Sequence, residues 1–177
     1  MKSAVLVIDV QSILFDPEPK PFESKVVLDK INEVTKWARN TAVSVIFIQH
    51  EQLNSVIEFG SDGWKLQSTL VTQVDDYFVR KTTPDSFLNT NLQSLLTELG
   101  IDNVIVCGYA SEFCVDTTVR RAAGLGYSVT LISDAHTTHD KSHATGAQIR
   151  AHHNATLPNI SSFGVKIDAI EVGSLLA

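Results

Sequence analysis

Cys114 is the residue in this 177-residue chain best suited to covalent chemistry. It follows an apolar run, residues 104–107, that is too short for a helix and fits a strand buried on both faces. From Val115 the apolar residues fall at helical spacing, so the thiol would lie at the first turn of a helix. There it would meet the positive end of the helix and unpaired N–H groups. This placement predicts a lowered thiol pKa and a reactive thiolate, although a small apolar residue packing the helix start is the plain alternative.

Two charged residues also follow predicted strands. Asp9 comes directly after the apolar residues 4–8, where a carboxylate needs a partner to offset the cost of desolvation. Lys81 follows a predicted strand at residues 77–79, and taken alone it would be an ordinary exposed lysine. Because ligands bind beyond the carboxyl ends of parallel strands, Asp9, Lys81 and Cys114 are expected to share one site.

The remainder of the chain alternates short apolar runs with amphipathic helical patterns. Strands are predicted at residues 4–8, 43–48, 77–79, 104–107 and 127–132, with a sixth near 163–167. Helices are predicted at residues 23–40, at 92–99, from 115 onward and at 142–156. This alternation predicts an α/β fold, a three-layer Rossmann-like arrangement with a mainly parallel sheet of about six strands and helices on both faces. The segment directly after the first strand, residues 9–15, contains no glycine, which weakens a dinucleotide-binding interpretation.

Composition narrows the class of protein. With 19% charged and 44% hydrophobic residues, the chain is typical of one globular domain spanning residues 1–177. A formal net charge of −6 and the lack of a basic run argue against nucleic-acid or anionic-membrane partners. No apolar run is long enough to span a bilayer, and the N-terminus does not read as a signal peptide. Two cysteines make no disulfide framework, so a cytoplasmic protein is expected.

Three separated segments resemble the isochorismatase-like cysteine hydrolase superfamily, and the similarity extends over nearly the whole chain. They are Val-Ile-Asp-Val-Gln at 7–11, Val-Arg-Lys-Thr-Thr-Pro-Asp-Ser-Phe at 79–87 and Gly-Tyr-Ala-Ser-Glu-Phe-Cys-Val at 108–115. The resemblance implies that Asp9, Lys81 and Cys114 form a catalytic triad. It also implies a cis peptide bond between Tyr109 and Ala110, with the N–H groups of Ala110 and Cys114 forming an oxyanion hole.

These residue types fit a cysteine hydrolase, an amidohydrolase that cleaves an amide-type C–N bond of a small molecule. Asp9 would take the thiol proton, Lys81 would support both charged forms, and Cys114 would attack to form a thioester acyl-enzyme. The resemblance alone implies a homo-oligomer, a dimer or a tetramer. The alternatives are a thiol redox sensor using Cys114 and a non-catalytic binding protein of the same fold.

Neither a metal nor a cofactor is expected. Nicotinamidase relatives carry an aspartate and two histidines soon after the second strand, whereas this chain offers only His50 and the adjacent Glu51. Neighbouring residues on a strand point to opposite faces, so this pair should not converge on an ion. His136, His139 and His143 have a spacing more typical of a polar loop than of a metal site. Isochorismatases proper typically lack the nucleophilic cysteine, so that activity is disfavoured as well.

Four aromatic residues are candidates for lining a substrate pocket: Phe15, Trp64, Tyr109 and Phe113. Each could instead pack in the core. Trp64 is the preferred candidate because it lies in a loop flanked by glycine.

Overall fold

Six strands form one parallel sheet in the computed structural model, which describes residues 1–177. The strands are β1 (Ser3–Ile8), β2 (Ser44–His50), β3 (Tyr77–Lys81), β4 (Asn103–Tyr109), β5 (Ser128–Thr137) and β6 (Ile167–Ile170). Their order is β3-β2-β1-β4-β5-β6, and every neighbouring pair is parallel. The order reverses between β1 and β4, which is where open parallel sheets form a crevice for ligands.

Helices cover both faces of this sheet. They are α1 (Ser12–Phe15), α2 (Ser24–Asn40), α3 (Leu92–Glu98), α4 (Asp116–Gly124), α5 (Gly146–Thr156) and α6 (Val172–Leu176). A π-helical turn at Ser111–Val115 leads directly into α4, and a 3-10 turn at Leu157–Asn159 follows α5. The predicted fold, a parallel sheet of about six strands between two helical layers, is therefore confirmed.

The central strand β1 shows how the sheet divides the core. Its residues from Ala4 to Ile8 are fully buried, as expected for a strand covered on both faces. Leu6 and Ile8 pack with side chains of α3 and α4, whereas Val5 and Val7 pack with side chains of α2. This follows from the alternation of side chains along a strand.

Element boundaries differ from the sequence prediction in several places, including the start of α5 and the position of β6. The helix predicted to start at residue 142 begins at Gly146, because Thr145 and Gln148 form a capping box at its start. The sixth strand, predicted near 163–167, lies at Ile167–Ile170 instead. None of the helices combines the length and hydrophobicity needed to cross a membrane.

Candidate active site

Asp9, Lys81 and Cys114 meet at the carboxyl edge of the sheet. Asp9 follows β1, Lys81 ends β3, and Cys114 lies in the turn after β4. The Lys81 ammonium donates to Asp9 Oδ2 at 2.6 Å and to Cys114 Sγ at 3.3 Å. The structure thus brings together the three residues that the sequence pattern assigns to one site.

Lys81 is buried to an unusual degree, with no part of its side chain exposed. Besides Asp9 and Cys114, its ammonium contacts the carbonyl of Thr83 at 3.1 Å and Nδ1 of His50 at 3.2 Å. A buried ammonium is tolerated only when acceptors replace its lost hydration, and here four acceptors surround three N–H donors. The alternative of an ordinary exposed lysine is therefore wrong.

Asp9 offers one carboxylate oxygen that is not engaged. The residue has φ 50°, in the left-handed region that aspartate tolerates better than most side chains, and its N–H donates to Ile48 at 2.8 Å. Oδ2 accepts from Lys81, whereas Oδ1 is buried and has no hydrogen-bond partner. Because Asp9 and Cys114 line the same cavity, Oδ1 is available to receive a proton there.

The Cys114 thiol does not have the lowered pKa that its position predicts. Burial, together with the neighbouring Asp9 carboxylate, raises its pKa to about 12, although the Lys81 ammonium acts in the opposite direction. That expectation is wrong because a thiolate beside a carboxylate would place a second negative charge in a poorly hydrated pocket. The resting residue is a thiol that must lose its proton as it reacts.

A tight turn between β4 and α4 carries the thiol. The peptide bond between Tyr109 and Ala110 is cis, as the family resemblance implies. The Ala110 carbonyl accepts from the N–H groups of Phe113 and Val115 at 3.0 and 3.1 Å, which ties the turn to the residues on either side of Cys114. Ala110 and Cys114 line the same cavity.

That cavity has a volume of about 260 Å³. It is lined by Asp9, Gln11, Leu14, His50, Ile57, Pro84, Tyr109, Ala110, Phe113 and Cys114. A larger surface depression of about 470 Å³ beside α2 contains no cysteine or histidine, so it offers no comparable chemistry.

Of the four aromatic candidates, Tyr109 and Phe113 line the cavity. Phe15 is buried, with its ring edge-on to Tyr109 at 5.8 Å between centroids. Trp64 packs edge-on against Phe59 at 4.8 Å. The structure therefore does not place Phe15 or Trp64 in the cavity wall.

The sequence-based site assignment missed two polar residues of the cavity wall, Gln11 and His50. Gln11 holds the ends of β1 and β2 together, since its amide accepts from the His50 N–H at 2.8 Å and donates to the His50 carbonyl at 2.9 Å. His50 must accept at Nδ1 from Lys81, because an ammonium can only donate. Burial, followed by the charge of Lys81, lowers the pKa of His50, which favours the neutral ring. The sequence feature that could have identified these two residues is their position, because both lie at or just beyond the carboxyl ends of central strands.

The same residues form a group with metal-binding chemistry. An oxygen of Asp9, a ring nitrogen of His50 and Sγ of Cys114 lie within 4.8 Å of one another. Lys81 Nζ contacts all three residues, so a cation already stands where an ion would bind. Glu51 does not join them and pairs with Arg80. The donor set therefore fits a metal only if the ammonium is displaced.

Comparison with known proteins identifies relatives of this chain. The isochorismatase domain model matches residues 3–161. Streptothricin hydrolase from Streptomyces noursei is 34% identical over 138 residues, which cover 77% of this chain and 50% of that protein. The chain thus spans about half the length of that relative. Ureidoacrylate amidohydrolase RutB from Azorhizobium caulinodans is 26% identical over 171 residues, covering 76% of this chain and 75% of that protein.

Solved structures share the fold over almost the whole chain. An isochorismatase family protein superposes with a TM-score of 0.87 at 37% identity, covering 96% of this chain and 98% of the other. A cysteine hydrolase from Pseudomonas syringae superposes with a TM-score of 0.88 at 21% identity, covering 99% and 91%. The second likeness concerns the fold alone.

Proposed function

The chain belongs to the isochorismatase family, and we propose that it is a cysteine hydrolase that cleaves an amide-type C–N bond in a small molecule. Relatives named streptothricin hydrolase and ureidoacrylate amidohydrolase support hydrolysis of amides in general. The observation that carries the proposal is the buried ammonium of Lys81, which contacts both Asp9 and Cys114 at the floor of a cavity.

In the first step, Cys114 Sγ attacks the carbonyl carbon of the substrate while its proton passes to Asp9 Oδ1. The free oxygen of Asp9 suits this role, because its other oxygen is held by Lys81. Lys81 lowers the pKa of the thiol and so favours the developing thiolate. The new C–S bond turns the carbonyl into a tetrahedral oxyanion.

In the second step, the C–N bond breaks and a thioester forms. The N–H groups of Ala110 and Cys114 are assigned to hold the oxyanion, because both residues line the cavity beside the thiol. Asp9 returns its proton to the departing nitrogen, so the leaving group departs as a neutral amine. Asp9 is then again a carboxylate.

In the third step, water hydrolyses the thioester. Asp9 accepts a proton from the attacking water, the C–S bond breaks, and the proton returns to the Cys114 sulfur. The sum is one amide plus one water giving one carboxylic acid and one amine. Lys81 stays an ammonium throughout.

The redox alternative lacks a second thiol at the site. Cys107 is fully buried and packs on the face of the sheet that α2 covers, whereas Cys114 packs against the opposite core. Burial also raises the pKa of Cys107 to about 12. A resolving thiolate from this chain would have to cross the sheet.

A matched pair of cysteine variants tests the proposal. Purified protein is assayed for ammonia release from a panel of small primary amides, and the acylated enzyme is sought by mass spectrometry. Cys114→Ala should lose turnover by about a thousandfold or more, because it removes the nucleophile. Cys107→Ala, which alters the other buried thiol, should keep activity in its folded fraction. Full turnover in Cys114→Ala would exclude the proposed mechanism.

A further inference from the structure

Much of the wall of the Cys114 cavity is apolar. Leu14, Ile57, Pro84 and Phe113 form this part of the wall, and no arginine or lysine is among the lining residues. An ionised substrate group bound against them would lose its hydration without gaining a partner.

The cations next to the cavity are already committed. Arg80 forms a two-point ion pair with Glu51 at 2.7 and 2.8 Å and stacks on an aromatic ring. Lys141 lies 3.4 Å from Glu112. Lys81 is wholly buried and bonded to Asp9. Each of them already has a carboxylate partner, so a substrate carboxylate would have to compete with that partner.

Two polar side chains in the wall, those of Gln11 and Tyr109, are committed as well. Gln11 uses its amide oxygen on the His50 N–H and its amide nitrogen on the carbonyls of His50 and Trp64. Tyr109 bonds His139 through its hydroxyl at 2.7 Å. Among the lining residues, the buried side-chain atom left without a partner is Asp9 Oδ1, which belongs to a carboxylate and repels anions.

Resting on the proposed function, we infer that the substrate is an uncharged amide with a compact apolar body, and that the site rejects carboxylate-bearing amides. A carboxylate would be desolvated beside the Asp9 carboxylate, in a protein whose formal net charge is −6. A cationic substrate gains little, because Lys81 already neutralises Asp9 at 2.6 Å.

Two thiol reagents of nearly equal shape test the charge preference without any need for turnover. Iodoacetamide is neutral and iodoacetate carries a carboxylate. Both alkylate Cys114 Sγ through a carbon atom. Labelling of Cys114 is followed by peptide mass spectrometry. Each rate is divided by the rate at which the same reagent alkylates free 2-mercaptoethanol. The normalised preference for iodoacetamide should be at least about tenfold, since like charges brought together in a cavity repel. Equal normalised rates would overturn the inference.

A variant that adds a cation to the wall should reduce this preference. Ile57→Arg adds a cation to the cavity lining, and it should cut the preference for iodoacetamide by about tenfold. Phe113→Arg, at a lining position whose side chain is 53% exposed, is the second variant if Ile57→Arg does not fold. Val56→Arg is the control, because Val56 adjoins Ile57 in sequence, is 68% exposed and does not line the cavity. An unchanged preference in both lining variants would contradict the inference.

Turnover of shape-matched amides separates this inference from the proposed function. In 4-methylpentanamide an isopropyl group replaces the carboxylate of succinamate, so kcat/KM should favour the neutral amide at least about tenfold. Equal kcat/KM values would overturn the substrate class and leave the hydrolase proposal intact. No turnover of either amide, combined with the expected labelling preference, would overturn the hydrolase proposal and leave the charge selectivity of the site standing.

Discussion

The Cys114 thiol lies between two charges that act on it in opposite directions. The Asp9 carboxylate raises its pKa and the Lys81 ammonium lowers it. Both charges are almost completely buried and are in contact with each other, so solvent screens neither of them well. Removing one charge should therefore leave the effect of the other uncompensated.

The two variants are predicted to change thiol reactivity in opposite directions. Lys81→Met should raise the thiol pKa further and slow labelling by iodoacetamide at a fixed alkaline pH by about tenfold. Asp9→Asn should lower the thiol pKa and speed labelling by a similar factor, while hydrolysis is lost because the base is gone. Labelling rates measured across pH give both results.

Exposed residues of the same types provide the controls. Lys166→Met removes a lysine whose side chain is 77% exposed, and Asp102→Asn removes an exposed carboxylate. Neither should alter the labelling profile of Cys114. If Lys81→Met and Asp9→Asn shifted the profile in the same direction, the electrostatic account of the site would be wrong.

Much of the residue-scale site can be predicted from sequence. Asp9, Lys81 and Cys114 each follow a strand, and parallel strands end at a common edge. The pKa of Cys114 could not be predicted, because it depends on burial and on contact with residues distant in sequence. His50 was not assigned to the site because the second strand is predicted to end at residue 48, two residues too early.

At the scale of elements, a buried hydrogen-bond chain fixes the turn that carries Cys114. Ser111 Oγ lies 2.8 Å from His136 Nδ1, and His136 Nε2 lies 2.8 Å from Asn154 Oδ1. Asn154 donates its amide hydrogen to the Ser133 carbonyl, so its oxygen accepts and His136 Nε2 carries the proton. Ser111 must therefore donate to Nδ1. These hydrogen bonds join the π-helical turn to β5 and α5.

Ser111→Ala is predicted to weaken both stability and catalysis. It leaves Nδ1 of the fully buried His136 without a partner, which should cost about 1–3 kcal/mol of unfolding free energy. Burial lowers the pKa of His136 to about 4, so the ring stays neutral and cannot compensate at neutral pH. Urea unfolding measures the loss, and kcat should fall more than KM rises. Ser142→Ala, at an exposed serine, should stay within about 0.5 kcal/mol of the parent, and an equal effect at both positions would contradict this role.

Gly108 at the end of β4 is predicted to tolerate no side chain. It has φ 121°, and a Cβ placed there would collide with the backbone of Ile8 in the adjacent strand. Gly108→Ala should destabilise the fold by more than about 3 kcal/mol, because neither backbone can move without breaking the sheet. Gly173→Ala, where a Cβ meets open space in α6, should be neutral or stabilising. Similar melting temperatures for the two variants would refute this explanation.

Five of the six strands can be predicted from short apolar runs, whereas the position of β6 and the full length of β5 cannot. Its apolar run ends at Ile132, but the strand continues to Thr137 through polar residues. His136, interpreted from sequence as a loop residue, is instead buried in this extension. His136 can stay buried in the strand because Ser111 and Asn154 satisfy its two ring nitrogens, and these contacts cannot be read from local pattern.

At the scale of the whole molecule, the strand order explains why a lysine performs the central contact. β2 lies between β3, which carries Lys81, and β1, which leads to Asp9. The side chain from β3 must therefore pass the end of β2 to reach Asp9, and there it meets His50. A long side chain with a terminal cation can span that distance and also satisfy several acceptors.

The whole chain contains six histidines and two cysteines. The group whose ligand atoms converge closely enough to hold a metal ion consists of Asp9, His50 and Cys114. His136 and His139 are engaged with Ser111 and Tyr109 rather than with each other. Since the Lys81 ammonium contacts every member of that convergent group, a metal ion would have to displace a buried cation.

Catalysis is therefore predicted to be independent of metal, and Lys81→Ala is predicted to create a metal site. Dialysis against a chelator should leave turnover unchanged, as measured before and after removal with metal content determined in parallel. Without the ammonium, the oxygen, nitrogen and sulfur donors suit Zn²⁺, so Lys81→Ala should bind about one equivalent. The double variant Lys81→Ala/Cys114→Ala lacks the thiolate ligand and should bind Zn²⁺ far more weakly. Stoichiometric metal in the parent protein, with activity lost to chelator and restored by the ion, would show that Lys81 does not hold the place of a metal.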